Sequence, residues 1–152
     1  MTITIERRDL FTVSKDYTFC HCVSADFALG AGIAKRFAKL GVKNELDLLH
    51  NIFPEPTTWN GNGFHIITRS PEPHGTINLV TKERYWHKPT LEALEQSLLS
   101  LHNSAWIQSR NRKIAMPKIG CGLDWLKWSK VEPIIKKIFA DLNVNILVCD
   151  WS

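Results

Sequence analysis

The sequence contains no apolar run that approaches the roughly 20 residues needed to cross a bilayer. Its first residues, 1–8, also lack the basic-then-apolar layout of a signal peptide. We therefore expect a soluble intracellular protein, cytoplasmic or, in a eukaryote, nuclear, with no membrane partner. Internal repeats, low-complexity tracts and interdomain linkers are absent as well. A length of 152 residues then predicts a single domain spanning residues 1–152.

Cysteine is scarce and does not form a metal-binding pattern. The four cysteines are Cys20, Cys22, Cys121 and Cys149. Zinc sites usually offer C-x2-C or C-x4-C pairs with further ligands later in the chain. Cys20 and Cys22 instead flank His21 in an apolar stretch, where alternation along a strand places the two thiols on one face. We interpret them as buried free thiols, and we expect no metal site and no cofactor.

The excess of positive charge is small. Lysine and arginine number 19 against 15 aspartate and glutamate residues, which gives a formal charge of +4. This excess suits an anionic ligand, but it is also typical of a solvated, mildly basic surface. Alone it does not indicate a nucleic-acid-binding protein.

Apolar periodicity and turn signals predict strands that alternate with helices. The strands are predicted at residues 2–6, 17–23, 64–68, 76–81, 113–116 and 145–149. Helices are predicted at 31–40, 44–51, 89–107 and from 129 to about 142, the last opened by a Ser129–Glu132 capping box. Pro89 and Pro133 are placed in first turns. One hairpin in this order predicts a mixed sheet with helices on both faces and ligands beyond the carboxyl ends of the strands.

Two glycine-containing segments follow predicted strands. The first contains Gly30, Ala31, Gly32 and Ile33; the second contains Ile119, Gly120, Cys121, Gly122 and Leu123. Glycine leaves backbone N–H groups uncovered, and a helix N-terminus adds partial positive charge, so both segments are typical of phosphate binding. Taken alone, the first segment is better explained by a tight turn with close helix packing. It is neither a dinucleotide fingerprint nor a P-loop, because the third glycine, a suitably placed strand-end acid and the Gly-Lys-Ser/Thr are missing.

Polar residues follow three predicted strands. On the residues alone, Asp9 is interpreted as a turn residue and Lys82 as a solvated strand-end lysine. Asp124 is either a turn or cap carboxylate or a chemically active one. A lysine nucleophile must be neutral, and an unperturbed lysine is neutral in roughly one molecule in 2,500 at pH 7.

Six short motifs occur in a recognisable order along the chain. They are Asp9-Leu-Phe11, His21-Cys-Val-Ser24, Gly30-Ala-Gly-Ile-Ala34, Thr81-Lys82, His87-Lys-Pro-Thr90 and Met116-Pro-Lys-Ile-Gly-Cys-Gly-Leu-Asp124. Together they resemble the macrodomain branch typified by the terminal ADP-ribose protein glycohydrolase. The branch looks related to an antitoxin macrodomain that removes ADP-ribose from DNA. The resemblance implies the macrodomain fold, a three-layer α/β/α sandwich around a mixed sheet.

The resemblance also implies roles for individual residues. Asp9 would hold the adenine amino group, assisted by the backbone of Leu10, and Ser24 would lie near the distal ribose. The loops at 30–33 and 119–123 would grip the diphosphate and distal ribose. Lys82 would attack the anomeric carbon, with Asp124 as its acid/base partner.

The sequence departs from the family pattern at three places. The Asn-x-x-Asn of many macrodomains is replaced by Cys22-Val-Ser-Ala25, Arg8 stands where a glycine commonly precedes the aspartate, and Lys82 is followed by Glu83 rather than lysine.

The resemblance implies a hydrolase that cleaves ADP-ribosyl linkages: a protein carboxylate ester, nucleic acid or O-acyl-ADP-ribose. A non-catalytic ADP-ribose reader and an ADP-ribose 1″-phosphate phosphatase are the alternatives. The expected partner is ADP-ribose or an ADP-ribosylated macromolecule, and the chain is expected to be a monomer. Nucleic acid is permitted as substrate, because Trp86, Trp125 and Trp128 near the loops would stack on bases if they are not core residues.

Overall fold

A six-stranded mixed sheet forms the centre of the protein. The computed structural model describes residues 1–151 and orders the strands β1-β6-β5-β2-β4-β3. The strands are β1 (Thr2–Glu6), β2 (Thr18–Ser24), β3 (Phe64–Thr68), β4 (Thr76–Lys82), β5 (Arg112–Met116) and β6 (Val144–Cys149). Each neighbouring pair is parallel except β3 with β4, which are antiparallel. The predicted mixed sheet is confirmed.

Helices cover both faces of this sheet. They are α1 (Gly32–Lys39), α2 (Val42–Ile52), α3 (Leu91–His102), α4 (Ala105–Gln108) and α5 (Trp128–Phe139), with short 3₁₀ turns at Leu10–Thr12 and Glu55–Thr57. Across residues 1–151, none of these helices is long and apolar enough to cross a membrane.

The side chains of β6 divide the core into two. Ile146 and Val148 pack with residues of α3 and α5, whereas Leu147 and Cys149 pack with residues of α1 and α2. Alternate strand residues point to opposite faces, so the two cores lie on opposite sides of the sheet. The predicted α/β/α sandwich is therefore confirmed.

The helix predicted at 89–107 is two helices. The backbone N–H of Ser104 bonds to the Leu101 carbonyl as α3 ends, and the Ser104 hydroxyl then accepts the N–H of Ile107 to cap α4. Apolar periodicity alone predicts one continuous helix, but a serine at this position can cap a new helix and so separate the two. The placement of Pro89 in the first turn is also wrong, since Thr90 is the N-cap of α3.

The capping box predicted at Ser129 is wrong as well. Helix α5 begins at Trp128 with Lys127 as its N-cap, and no side chain caps it. Trp128 packs against the buried core from this first turn, so tertiary packing sets the start of the helix. Pro133 then lies inside α5 rather than in its first turn.

The parallel strands place four loops at one edge of the sheet. β2, β4, β5 and β6 all run in the same direction, so their carboxyl ends meet at that edge. The glycine loops follow β2 and β5, and Lys82 is the last residue of β4.

Candidate functional site

A cavity of about 720 Å³ lies along this edge. The volume is in the range of small-molecule sites in proteins. Twelve of the predicted site residues line it: Ser24, Gly30, Ala31, Gly32, Ile33, Lys82, Ile119, Gly120, Cys121, Gly122, Leu123 and Asp124. The two other predicted residues, Asp9 and Leu10, do not.

Two of the lining residues, Lys82 and Asp124, form an ion pair. The Nζ atom of Lys82 donates to Oδ1 of Asp124 at 2.6 Å. Their side chains are 13% and 17% exposed, so little water screens the pair. The two residues are 42 positions apart and meet because their strands end at the same edge. An amine and a carboxylate at this distance can exchange a proton directly.

An irregularity in the sheet fixes the backbone beside Lys82. Between β2 and β4 the register shifts at Val23 and Ser24, so that Ser24 pairs with Lys82. The N–H of Ala25 then donates to the carbonyl of Lys82 at 2.9 Å. Shifts of this kind often re-aim a side chain next to a functional site.

Asp26 anchors the first loop, and sequence reasoning did not identify it. Its carboxylate accepts the Ser24 hydroxyl at 2.5 Å and the backbone N–H groups of Ala28 and Tyr85 at 3.2 and 3.0 Å. Burial alone would raise the pKa of Asp26, but these hydrogen bonds hold that pKa below its ordinary value. The carboxylate thereby ties the first loop to the segment after Lys82.

The first loop leads into an uncapped helix. The N-cap residue of α1, Ala31, offers no side chain, and the first turn of α1 contains no acidic residue. The first-turn residues Gly32 and Ile33 line the cavity. The free N–H groups and the positive end of the helix dipole therefore favour an anion on the cavity side.

Left-handed backbone shapes this loop. Phe27 and Leu29 adopt φ values of 53° and 43°, which bulky residues rarely do. Both side chains are buried, and the Nζ of Lys43 donates to the carbonyl of Phe27 at 2.8 Å. Packing thus holds a strained backbone next to the cavity, as is common at functional sites.

The second loop requires glycine at one position. Gly120 has a φ of 74°, and a Cβ there would lie only 2.8 Å from Cδ1 of Leu126. The N–H of Leu126 also donates to the Gly120 carbonyl at 2.8 Å, which closes the turn. A larger residue would open the turn that aims this backbone at the cavity.

Exposed aromatic residues line the cavity or follow a lining residue in the chain. Tyr85 lines the cavity, and its ring contacts Trp86 edge-on at 5.0 Å between centroids. Trp86 and Trp125 are 63% and 77% exposed, so neither is a core residue. Trp128 packs against the core instead.

Asp9, the aspartate predicted to recognise adenine, is paired with Arg36 in this structure. Both carboxylate oxygens of Asp9 accept hydrogen bonds from Arg36, at 2.9 and 3.0 Å. The guanidinium also lies 4.3 Å from the centre of the Phe11 ring. Arg36 holds the pKa of Asp9 below its ordinary value. Sequence reasoning missed Arg36, and the adenine role of Asp9 stays a prediction.

The thiols at the site are held in their protonated form. All four cysteines are free, and Cys22 and Cys121 line the cavity. Burial raises the pKa of both, well above the ordinary value for Cys22. A thiol with a raised pKa is a poor nucleophile, which leaves Lys82 as the stronger candidate. Within residues 1–151, no group of three or more His, Cys, Asp or Glu side chains is arranged to hold a metal ion.

Solved structures with this architecture are macrodomains. The macrodomain of Mycobacterium tuberculosis DarG superposes with a TM-score of 0.73 at 19% identity, covering 97% of each chain. Thermosipho africanus DarTG in complex with ADP-ribose matches with a TM-score of 0.68 at 20% identity, covering 98% of this chain and 41% of that one. The fold is therefore that of a macrodomain. No family model matches the chain.

Sequence relatives identify the family within the macrodomains to which the chain belongs. Human ADP-ribose glycohydrolase OARD1 is 35% identical over 147 residues, which cover 96% of this chain and 90% of the human protein. The chain belongs to the OARD1 family of ADP-ribose glycohydrolases.

Proposed function

We propose that the chain hydrolyses ADP-ribosyl linkages and that Lys82 and Asp124 carry out the chemistry. The observation that carries the proposal is their 2.6 Å contact in the wall of a cavity that both glycine loops also line. Relatives named as ADP-ribose glycohydrolases support the activity, and a related macrodomain in complex with ADP-ribose supports the ligand.

The two loops suit the diphosphate of ADP-ribose. The uncapped N-terminus of α1 supplies N–H groups and partial positive charge on one side. The turn at Gly120 supplies backbone from the other side. A diphosphate between them would direct one of its two riboses towards Lys82. Binding energy from the phosphates then serves to orient the reacting carbon.

The reaction follows from the ion pair. As Asp124 accepts a proton from Nζ of Lys82, the neutral amine attacks the anomeric carbon of the distal ribose. The bond from that carbon to the leaving oxygen, or to the leaving nitrogen of a nucleobase, breaks, and the leaving atom departs with the electron pair. Water then attacks the anomeric carbon, the bond from that carbon to Nζ breaks, and the water gives one proton to the leaving group or to solvent, which releases ADP-ribose. Asp124 returns its proton to the departing amine and restores the charged lysine.

Water activation by a side chain near Ser24 has little support. The Ser24 hydroxyl donates its proton to Asp26 at 2.5 Å, so it is committed to the loop anchor. The asparagine pair found there in many macrodomains is absent from this sequence. Both observations favour the amine of Lys82 over a water molecule as the first nucleophile.

Nucleic acid is the macromolecular substrate that the mouth of the cavity favours. Tyr85, Trp86 and Trp125 are exposed. Tyr85 lines the cavity, and Trp86 and Trp125 directly follow the lining residues Tyr85 and Asp124 in the chain. Stacking on flat bases is a known use of exposed aromatic side chains. Protein carboxylate esters and O-acyl-ADP-ribose remain the alternatives. We further propose a monomeric enzyme, because the reactive pair and both glycine loops come from the same chain.

A substrate panel tests the proposal. The purified protein is incubated with glutamate-linked ADP-ribosyl protein, thymidine-linked ADP-ribosyl DNA and ADP-ribose 1″-phosphate, and released ADP-ribose is measured. We expect turnover of a glycosidic substrate, fastest on the DNA. Release from the 1″-phosphate alone would favour a phosphatase. Binding of ADP-ribose without release from any substrate would favour a reader.

A further inference from the structure

We propose that Lys88 is a positioning residue that holds Asp124 against Lys82; the inference rests on the proposed function. The Nζ of Lys88 donates to the carbonyl oxygen of Leu123 at 2.7 Å and lies 4.8 Å from the centre of the Trp125 ring. Leu123 and Trp125 are the chain neighbours of Asp124. One ammonium group therefore contacts the residues on both sides of the reactive carboxylate.

The backbone around Asp124 needs such support. Residues 117–127 form no helix or strand. Trp125 adopts a φ of 66°, a left-handed value that is strained for a bulky residue. Its ring is 77% exposed, so packing in the core does not stabilise that conformation. Lys88 contributes a charged hydrogen bond and a cation–π contact at this point.

The support comes from an anchored segment. Pro89, next to Lys88, is buried. Thr90 then caps α3, with its hydroxyl accepting the N–H of Ala93 at 3.0 Å. The same segment begins after Lys82. Lys82, directly before this segment, contacts the carboxylate of Asp124, and Lys88, at its end, contacts the Leu123 carbonyl on one side of Asp124 and the Trp125 ring on the other.

Lys88 also lines the cavity, so direct contact with the ligand is the competing role. The two roles differ in their kinetics. A residue that aligns Asp124 affects the chemical step and lowers kcat. A residue that binds the ligand uniformly raises KM and weakens ADP-ribose affinity while kcat is kept.

The experiment compares Lys88→Ala, Lys88→Arg and Arg84→Ala with the unmodified chain. Arg84→Ala is the matched control, because it removes a positive charge from the same segment. No hydrogen bond or ion pair is found between the Arg84 side chain and residues 117–127.

We expect Lys88→Ala to lower kcat about tenfold, because one charge-assisted hydrogen bond is lost, and to keep the ADP-ribose Kd within about threefold. Lys88→Arg restores most of kcat, since a guanidinium makes both contacts, and Arg84→Ala leaves kcat within about twofold.

Hydrogen exchange supplies a second readout. The N–H groups of Trp125 and Leu126 bond to the carbonyls of Gly122 and Gly120, at 3.2 and 2.8 Å. We expect both to exchange faster in Lys88→Ala and at the original rate in Arg84→Ala, because only the former releases the loop.

An unchanged kcat in Lys88→Ala, or a raised KM and Kd at constant kcat, would overturn the positioning role. Failure of the proposed function looks different. A fully active Lys82→Ala variant overturns the reactive pair itself, whereas an inactive Lys82→Ala with a normal Lys88→Ala overturns only the inference about Lys88.

Discussion

The side chain of Leu123, in the second glycine loop, occupies the space beside Gly32 at the start of α1. A Cβ atom on Gly32 would stand 3.1 Å from Cδ1 of Leu123, and the φ of Gly32 is 58°. Neither space nor backbone therefore accommodates a side chain easily at the start of α1. The contact makes the width of the anion site depend on both loops together.

Gly32→Glu is expected to abolish ADP-ribose binding. The carboxylate would occupy the position of the phosphate, where it repels the ligand and strains the loop. Saturating ADP-ribose stabilises the unmodified protein by about 2.7 kcal/mol at a hundredfold excess over Kd. Scanning fluorimetry should show this rise in Tm for the unmodified chain and not for Gly32→Glu.

Gly61→Glu is the control for this change. Gly61 also has a positive φ, of 99°, but nothing lies within 4 Å of its Cβ position, and it does not line the cavity. The Gly61→Glu variant should show the same rise in Tm with ADP-ribose as the unmodified chain. Unchanged affinity in Gly32→Glu would mean that the first loop is only a packing turn.

Asp26→Ala is expected to weaken ADP-ribose binding about tenfold, because one carboxylate accepts three hydrogen bonds that shape the first loop. Calorimetric titration measures the loss. Asp16→Ala, an exposed site outside the cavity, should leave Kd unchanged. Equal affinities in the two variants would show that Asp26 does not shape the first loop for ADP-ribose binding.

Stability is expected to fall below pH 6.5 because of His21. The ring is fully buried with Nε2 2.7 Å from Oδ1 of Asn78, and burial lowers the pKa of His21 to about 4 from an ordinary 6.5. Between these values the unfolded chain binds a proton that the folded chain does not. The free energy of unfolding therefore drops as pH falls from 6.5 towards 4, by on the order of 3 kcal/mol.

Urea unfolding at pH 7 and pH 4.5 checks this claim. The His21→Gln variant keeps an amide to pair with Asn78 but has no group that titrates in this range. It should lose less stability than the unmodified chain between the two pH values. Equal losses would show that the carboxylates, and not His21, govern the acid limb.

The sequence carried enough information to place most of the cavity lining. Parallel strands end at one edge, so the rule for ligand sites brought Lys82, Asp124 and both loops together before any contact was known. The resemblance supplied their roles. The match depends on local strand and loop signals, which are the strongest that a sequence offers.

The contacts that sequence reasoning missed join residues that are far apart in the chain. Arg36 reaches Asp9 across 27 positions, and Asp26 reaches the Tyr85 amide across 59. No periodicity relates such pairs, because they arise only when the layers pack. The start of α5 was misplaced for the same reason, since burial of Trp128 decided it.

Asp124→Ala is expected to trap ADP-ribose on Lys82. Without the carboxylate, attack by Lys82 is slower and turnover is lost, but an adduct that has formed lacks the group that protonates the departing amine, so it accumulates. Mass spectrometry after borohydride treatment should find the added mass on the peptide that contains Lys82. The double variant Lys82→Arg/Asp124→Ala should carry none. An adduct on another residue would indicate that this residue, and not Lys82, is the nucleophile.

The most direct test is the rate of ADP-ribose release by Lys82→Arg and Lys82→Ala, measured with ADP-ribose affinity in the same preparations. Lys82→Arg keeps a cation opposite Asp124, so it controls for an unpaired buried charge. We expect both variants to lose turnover by at least about a thousandfold. We also expect both to bind ADP-ribose within about fivefold of the unmodified chain, because contacts to the loops and to adenine provide the binding energy. Full activity in Lys82→Ala would contradict it and leave hydrolysis centred on Asp124.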